Sequence, residues 1–451
     1  MATVAPFTGV TYNSKRFGEM ARLVAPPYDV ISEEEQEGYY QKDPYNVIRL
    51  ILGKKKIGDS DWDNRYTRSA DSFNRWQSEN VLVRSRQPSM YMTSLRYDPG
   101  DGGGERLRWG LIALLRIEEE GSGTILPHEK TFSAHKDDRL NLMKACGAQF
   151  SQIFGLYEDA DHEISGAFED VIQESPQFSF DLDDGTGHRL WVVQNRAIFE
   201  RVAELMAGKS IFIADGHHRY ETARNYRNMM RTRFGKRSPN RSYEYVMAYL
   251  SNMDDVGLTI LPSHRLIRGR AGFDVRPFLE RAGAWFDVAT LPLSTAGSGT
   301  EWMRIKEALD ERGRLGTAIG FYHHGGDRCY LLSLKTGMEE VMGDDLHPCQ
   351  KDLDVLALSR FLLQRALGFS KEDLDDEEVF HYQSNFARAL SMVSSGAYQM
   401  TFLLNPTRME QVKEVAKQGL IMPRKSTYFY PKILTGLVFN KIDPNELIQM
   451  P

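Results

Sequence analysis

The chain of 451 residues reads as an α+β protein, and three observations lead there. Short apolar runs of strand type alternate with helical patterns without settling into a repeating βαβ order. Two pairs of these runs close on glycine-containing turns as hairpins: 90–97 with 107–117 around 98–104, and 178–182 with 189–193 around 183–187. At 211–214 a third apolar run breaks at Asp215-Gly216, and beyond it Ala223, Tyr226, Met230 and Phe234 recur at helical spacing. The fold expected is mixed sheets with hairpins and packed helices around this strand-turn-helix unit.

Composition narrows the function classes. With 41% apolar and 11% aromatic residues the chain can bury a core, and its length exceeds what one core usually carries. Two domains are expected, 1–268 and 269–451, parted at the glycine- and arginine-rich stretch 269–272. A net charge of −6 argues against an overall field that attracts nucleic acid, so any such contact must be local. Cys146, Cys329 and Cys349 are far apart and odd in number, which fits a reducing compartment. No basic leader precedes an apolar stretch, and no run approaches the roughly 18 apolar residues of a spanning helix. The expectation is a soluble cytoplasmic protein without a membrane partner.

In chain order, Pro26 and Pro27 disfavour helix over 25–31 and hold Tyr28 and Asp29 in a rigid turn that could wall a site. Ser32 followed by three glutamates reads as a capped helix start, Lys54-Lys55-Lys56 as a solvated loop, and 66–79 as an amphipathic helix. The glycines of 98–104 lack the Lys-Ser/Thr of a P-loop and join strand to strand, so they form a hairpin tip. Next, 126–131 is a polar knot before a helix that starts near Asp137-Asp138. Here His128 and Glu129 could serve as general base or orienting groups, Thr131 as a hydroxyl contact and Arg139 as an anion ligand. The second histidine of a zinc-protease H-E-x-x-H is missing, since His135 lies too far on.

A strand at 153–156 and helices at 162–174 and 196–207 lead to the central strand. The helix after it carries Arg224, Arg227, Arg231 and Arg233 and runs on to Lys236, Arg237 and Arg241 with no acid between Glu221 and Glu244. Strands are expected at 244–251 and 258–265, the second ending in His264-Arg265; as consecutive elements they should bring that pair to the cleft of the Asp215 turn. Helices follow at 274–283 and 300–313, a hairpin over 317–334 with His323-His324 in a solvent-exposed tip, a long amphipathic helix within 347–368, a strand at 398–404 and a helix at 407–418. Finally, 422–432 combines Lys425, Ser426, Thr427 and Lys432 with three aromatics, a mixture suited to an anionic ligand or to a docked C-terminal segment.

The richest chemistry sits at the helix start. A helix that opens from a glycine turn presents unpaired N–H groups and the positive end of its dipole, and His217, His218 and Arg219 occupy its first turn. Asp215 alone could be an ordinary cap, but a cap leaves the His-His-Arg block unexplained. The site expected is one for a phosphate, with Glu129 within about one water-bridged contact of the Asp215 turn, as acid–base work on a bound hydroxyl requires.

Four stretches, APPYDVIS (25–32), PHEKTFSAHKDDRLNLM (127–143), IADGHHRYETA (213–223) and PRKSTYFYPK (423–432), resemble the bacterial domain-of-unknown-function family numbered one thousand and fifteen, in that family's order and over nearly the whole chain. The family carries no assigned activity. Locally, Asp-Gly-His-His-Arg-Tyr is similar to the Gly-Glu-Arg/His-Arg box of the ParB-like superfamily, which includes ParB, sulfiredoxin and the free-serine kinases. That box binds nucleotide or substrate phosphates at a helix start. The resemblance implies a phosphotransferase acting on a small hydroxylated metabolite such as free serine, with Glu129, Asp215, His128 and Arg219 as catalytic residues. Phosphates would be held by Gly216, His217, His218, Arg219, Arg265, Lys425, Ser426 and Thr427, with ATP or ADP and Mg2+ as cofactors. The alternative is a ParB-like nucleotide- or nucleic-acid-binding regulator without catalysis, working through Arg224 to Arg241. A sulfiredoxin-like role would need a cysteine within 215–219, which is absent. Neither a P-loop nor protein-kinase signatures are present.

Overall fold

A computed structural model describes residues 1–129, 133–235, 238–293, 299–376 and 378–451, with the backbone alone at 133–135 and 375. Thr131, Lys236 and Arg237, singled out in the sequence, lie outside the described residues. The protein is α+β and forms two compact units of discontinuous membership. One comprises Met1–Pro127, Thr131–Thr259 and Tyr430–Pro451; the other comprises His128–Lys130 and Ile260–Phe429. The crossing therefore lies at 259/260, where the sequence reading placed 268/269, and the last residues group with the first half. They do so by backbone pairing: Asn440–Lys441 runs antiparallel to Ala148–Gln149, and Phe439 exchanges hydrogen bonds with Val10.

The first unit is built on a sheet of nine strands among the described residues. Along it lie Ile125–Leu126, Ile211–Asp215, Ile153–Tyr157, Tyr245–Asn252, Arg106–Arg116, Met90–Tyr97, Gly187–Val193 and Phe178–Asp181, with Val4–Ala5 added beside Arg106–Arg116. Tyr245–Asn252 and Ile153–Tyr157 are buried at every position, as strands covered on both faces must be. The apolar stripe of helix His217–Phe234 (Tyr220, Ala223, Tyr226, Met230) packs in one core with Ile153, Ile211, Ile213, Val246 and Leu250. The helix expected over 162–174 is two short ones, Glu163–Gly166 and Glu169–Gln173, parted at the fully buried Phe168.

The second unit centres on six antiparallel strands in the order Phe286–Pro292, Arg328–Leu334, Ala318–His323, Met400–Leu404, His264–Ile267 and Phe380–Gln383. The strand expected over 258–265 is broken into Thr259–Leu261 and His264–Ile267, on either side of Pro262, which has no N–H to give a ladder. The helix expected within 347–368 is Pro348–Lys351, Asp354–Ala357 and a π-type coil Leu358–Ala366, because Leu353 is extended. His323 and His324 sit at the hairpin tip as expected, His324 exposed and His323 half-buried, and both are tethered there: His324 Nδ1 lies 2.9 Å from the Val393 carbonyl, and the His323 ring stacks on Phe321 and Tyr330. No helix among the described residues is long and apolar enough to cross a membrane.

Candidate functional site

In the first unit the strand Ile211–Asp215 pairs with Ile153–Tyr157, and the register slips by one residue between Ile213 and Asp215. Such a bulge bends the strand and re-aims the side chain that follows it, here Asp215. Gly216 then adopts φ 88°, a left-handed conformation that costs other residues strain, and the helix His217–Phe234 begins with no side-chain cap. The Gly216 N–H donates to Asp215 Oδ1 at 2.8 Å. A Cβ on Gly216 would stand 2.9 Å from the Arg219 guanidinium carbon, so the guanidinium folds back across the turn because the glycine leaves room.

Two cations converge on the Asp215 carboxylate. Lys432 Nζ lies 3.2 Å from Oδ2 and Arg219 Nη2 lies 3.4 Å from it, all three side chains being 10–17% exposed. Arg219 Nη1 also donates to the Gln152 carbonyl. Burial pushes the Asp215 carboxyl up, but the charges of Lys432 and Arg219 outweigh it and hold the group well below the usual carboxylate range. Burial lowers His217 to about 4, with His218 and Arg219 adding to the fall, so at neutral pH its ring is uncharged. Two cations against one carboxylate leave a net charge of +1 at the positive end of a helix dipole. Asp215 is thus a weak base whose geometry suits orienting Lys432 and Arg219. Lys432 stands 217 residues away in sequence, and only its place in a mixed aromatic and cationic segment marked it out.

Three residues from separate motifs meet beside this helix. Tyr28, Arg139 and Arg219, with Ser151 and Thr222, line a cavity of ≈40 Å³, room for one or two waters rather than a nucleotide. Arg139 is no free anion ligand: it donates to Asp138 and to the Ile51 carbonyl, and its guanidinium lies 3.9 Å from the Tyr28 ring centroid. Burial, with Asp29 adding to it, raises the Tyr28 hydroxyl to about 12 against the pull of Arg139 and Arg219.

The basic helix is less open than its sequence. Arg227, 1% exposed, donates to the Ile117 carbonyl and pairs with Glu119; Arg231 pairs with Glu119 and Glu244; Arg224 pairs with Glu120. The acids missing from the helix come from elsewhere in the first unit, so these arginines do not form a bare cationic stripe.

The remaining candidates belong to the second unit. His128 is buried with Nε2 3.3 Å from Thr427 Oγ1, and its carbonyl accepts from the Met422 N–H. Glu129 Oε1 accepts from the Lys425 N–H at 3.2 Å, where Lys425 has φ 54°. Arg265 donates to the carbonyls of Ser263, Arg424 and Lys425 and lies over the Tyr382 ring. Ser426 Oγ donates to the Pro423 carbonyl, while its own carbonyl accepts from Thr407. Arg265 therefore spends its fork on shaping the 423–427 loop. Its neighbour His264 is fully buried, accepts from the Leu404 N–H and packs edge-on against Phe386. Glu129 and Asp215 fall in different units, and each cluster stands here within its own.

The donor set at the helix start does not suit a divalent cation. Oδ1 of Asp215 is taken by the Gly216 N–H and Oδ2 by Lys432, and two cations already face it. No group of three or more His, Cys, Asp or Glu among the described residues could hold a metal.

No curated protein matches the chain. Solved structures similar to it include a free serine kinase mutant in complex with ADP, at 12% identity over 72% of this chain and 91% of that one, with a TM-score of 0.35. A conserved hypothetical protein from Pyrococcus furiosus matches at 15% identity over 69% and 89%, TM-score 0.30. SbnI from Staphylococcus aureus, truncated at its C-terminus, matches at 9% identity over 72% and 85%, TM-score 0.30. The family model described as Protein of unknown function (DUF1015) matches residues 4–356, a span that holds the Asp215 turn and three of the four motif stretches, and the chain belongs to that family.

Proposed function

We propose that the protein binds the phosphates of a nucleoside phosphate, ATP or ADP, at the first turn of helix His217–Phe234 and transfers a phosphoryl group to a small hydroxylated metabolite such as free serine. What carries the reading is the convergence of Lys432 and Arg219 on Asp215 at a glycine-opened helix start. Phosphoryl transfer asks the protein mainly for positioning and for neutralising charge on the phosphoryl oxygens, and fixed cations in a partly buried site supply both. In the reaction the substrate hydroxyl oxygen forms a bond to phosphorus, the bond to the donor's bridging oxygen breaks, and the hydroxyl proton passes to solvent or to the oxygen of the leaving nucleotide phosphate. Asp215, held far below the usual carboxylate range, is not the acceptor of that proton; it keeps the two cations in place.

The test is to incubate the purified protein with magnesium, a panel of nucleoside di- and triphosphates and free serine or related hydroxy metabolites, and to quantify phosphorylated product. Product is expected for one donor–acceptor pair, with Arg219→Ala lowering turnover by about 10²–10³, as loss of a charge-stabilising donor does. Nucleotide binding without product from any pair would replace the kinase reading by that of a nucleotide-binding regulator.

A further inference from the structure

Arg108 lies fully buried in the strand Arg106–Arg116, outside every motif that the sequence singled out. A buried guanidinium is costly unless its donors are met. Here the donors go to backbone: Nη1 to the Tyr430 carbonyl at 3.2 Å and Nη2 to the Pro431 carbonyl at 2.8 Å. Its Nε has no hydrogen-bond partner among the described residues. The guanidinium lies over two rings that pack edge-on against each other, 5.0 Å from the Phe154 centroid and 5.6 Å from that of Tyr249. Gly110, two residues on, leaves the room the second ring needs, since a Cβ there would overlap the Tyr249 ring at 2.0 Å.

Both ends of this clamp lead to Asp215. Phe154 is the register partner of Asp215 across the sheet. Pro431, whose carbonyl Arg108 holds, immediately precedes Lys432, whose ammonium lies 3.2 Å from Asp215 Oδ2. The planar fork of an arginine holds two carbonyls from two nitrogens at a fixed spacing, which the single rotatable nitrogen of a lysine does not reproduce.

We infer that Arg108 is a positioning residue: by gripping the carbonyls of Tyr430 and Pro431 and stacking on Phe154, it fixes the chain at the length and angle that seat the Lys432 ammonium against Asp215. For its functional consequence this inference rests on the phosphate reading above, but its geometric content does not. Arg108 touches no ligand. Its effect passes through Lys432.

The test is lysine acetylation kinetics followed site by site by mass spectrometry, on the full chain as wild type, Arg108→Met and Arg108→Lys. Lys432 should be protected in the wild type and label about tenfold faster in Arg108→Met, because local opening sets such rates. Lys136 and Lys209, ion-paired elsewhere in the same unit with Glu221 and Asp159, serve as internal controls and should keep their wild-type rates. Arg108→Lys, which keeps the charge but loses the rigid two-nitrogen fork, should also expose Lys432; it carries the test if Arg108→Met fails to fold. Unchanged labelling of Lys432 in the folded variants overturns the inference. So does an equal rise at all three lysines, which marks general loosening.

A second arm uses inorganic pyrophosphate, titrated by calorimetry into wild type, Arg108→Met, Lys432→Met and the double variant. The double variant should bind no more weakly than Lys432→Met alone, since both substitutions remove the same contact; additive losses overturn the inference. A wild type that binds no pyrophosphate, with Lys432 labelling still released by Arg108→Met, would refute the phosphate reading and leave the positioning role standing.

Discussion

Replacing Lys432 by methionine removes the cation 3.2 Å from Asp215 Oδ2 while keeping most of the side chain's bulk. At an effective dielectric constant of about 20, two unit charges at that distance attract by about 5 kcal/mol before desolvation is counted. Losing one partner of a deeply buried pair costs about 3–5 kcal/mol, whereas an exposed pair is worth about 0–1. Lys432 and Asp215 are 17% and 16% exposed, and Arg219 remains 3.4 Å from the carboxylate. A cost of about 2 kcal/mol is therefore expected for Lys432→Met. Asp215→Asn removes the charge that Lys432 answers, so the double variant should be less destabilised than the sum of the singles, with a coupling of about 1–2 kcal/mol. Urea unfolding of the four proteins, followed by tryptophan fluorescence, measures it. The sign with pH is fixed: a carboxyl depressed in the folded state contributes stability above its unfolded pKa of about 3.9, lost only as pH falls through the folded value. The coupling should thus be the same at pH 7 and pH 5. A coupling below about 0.5 kcal/mol, or one that vanishes by pH 5, refutes the convergent-charge account.

Gly216→Ala should cost about 1–2 kcal/mol, because alanine is strained at φ 88°. The new Cβ, 2.9 Å from the Arg219 guanidinium, should also swing that side chain off Asp215 and weaken phosphate binding; a variant of wild-type stability and affinity contradicts the turn geometry. In the second unit, burial pushes the Asp354 carboxyl up to about 7 against hydrogen bonds from Asn405 and Thr317. A carboxyl raised in the folded state contributes fully below its unfolded pKa, and that contribution falls as pH rises to about 7. Asp354→Asn should accordingly gain on the wild type between pH 4 and pH 8, by at most about 4 kcal/mol, in urea midpoints; a difference flat across that range is the refuting result.

The α+β class and most elements were legible because their signals are local. Alternating runs ended by glycine turns gave the hairpins Met90–Tyr97 with Arg106–Arg116 and Phe178–Asp181 with Gly187–Val193, and the break at Asp215-Gly216 gave the strand-turn-helix. Failures arose where one residue interrupts an otherwise continuous pattern, as at Pro262 and at the extended Leu353. Within the candidate site, the first-turn residues His217 to Arg219 were legible because they are contiguous. What completes them was less so: Lys432 was marked only by the mixed character of its segment, while the Gln152 carbonyl that accepts from Arg219 and the Arg108 grip on the chain before Lys432 arise only in the tertiary fold. The basic helix misled for the same reason, since Glu119, Glu120 and Glu244 pair with it from outside its own sequence. Arg265 and Arg139 read as ligands because an arginine's donors carry no mark in sequence of the backbone carbonyls that use them.

The central claim is that an anionic phosphate group binds at the start of helix His217–Phe234. Calorimetric titration of inorganic pyrophosphate into wild type, Arg219→Ala and Arg224→Ala tests it most directly, because Arg224 lies on the same helix but is paired with Glu120. The account predicts saturable binding by the wild type, a loss of about tenfold or more in Arg219→Ala, and near wild-type affinity in Arg224→Ala. Equal affinity for wild type and Arg219→Ala, or a loss that follows Arg224→Ala instead, would contradict it.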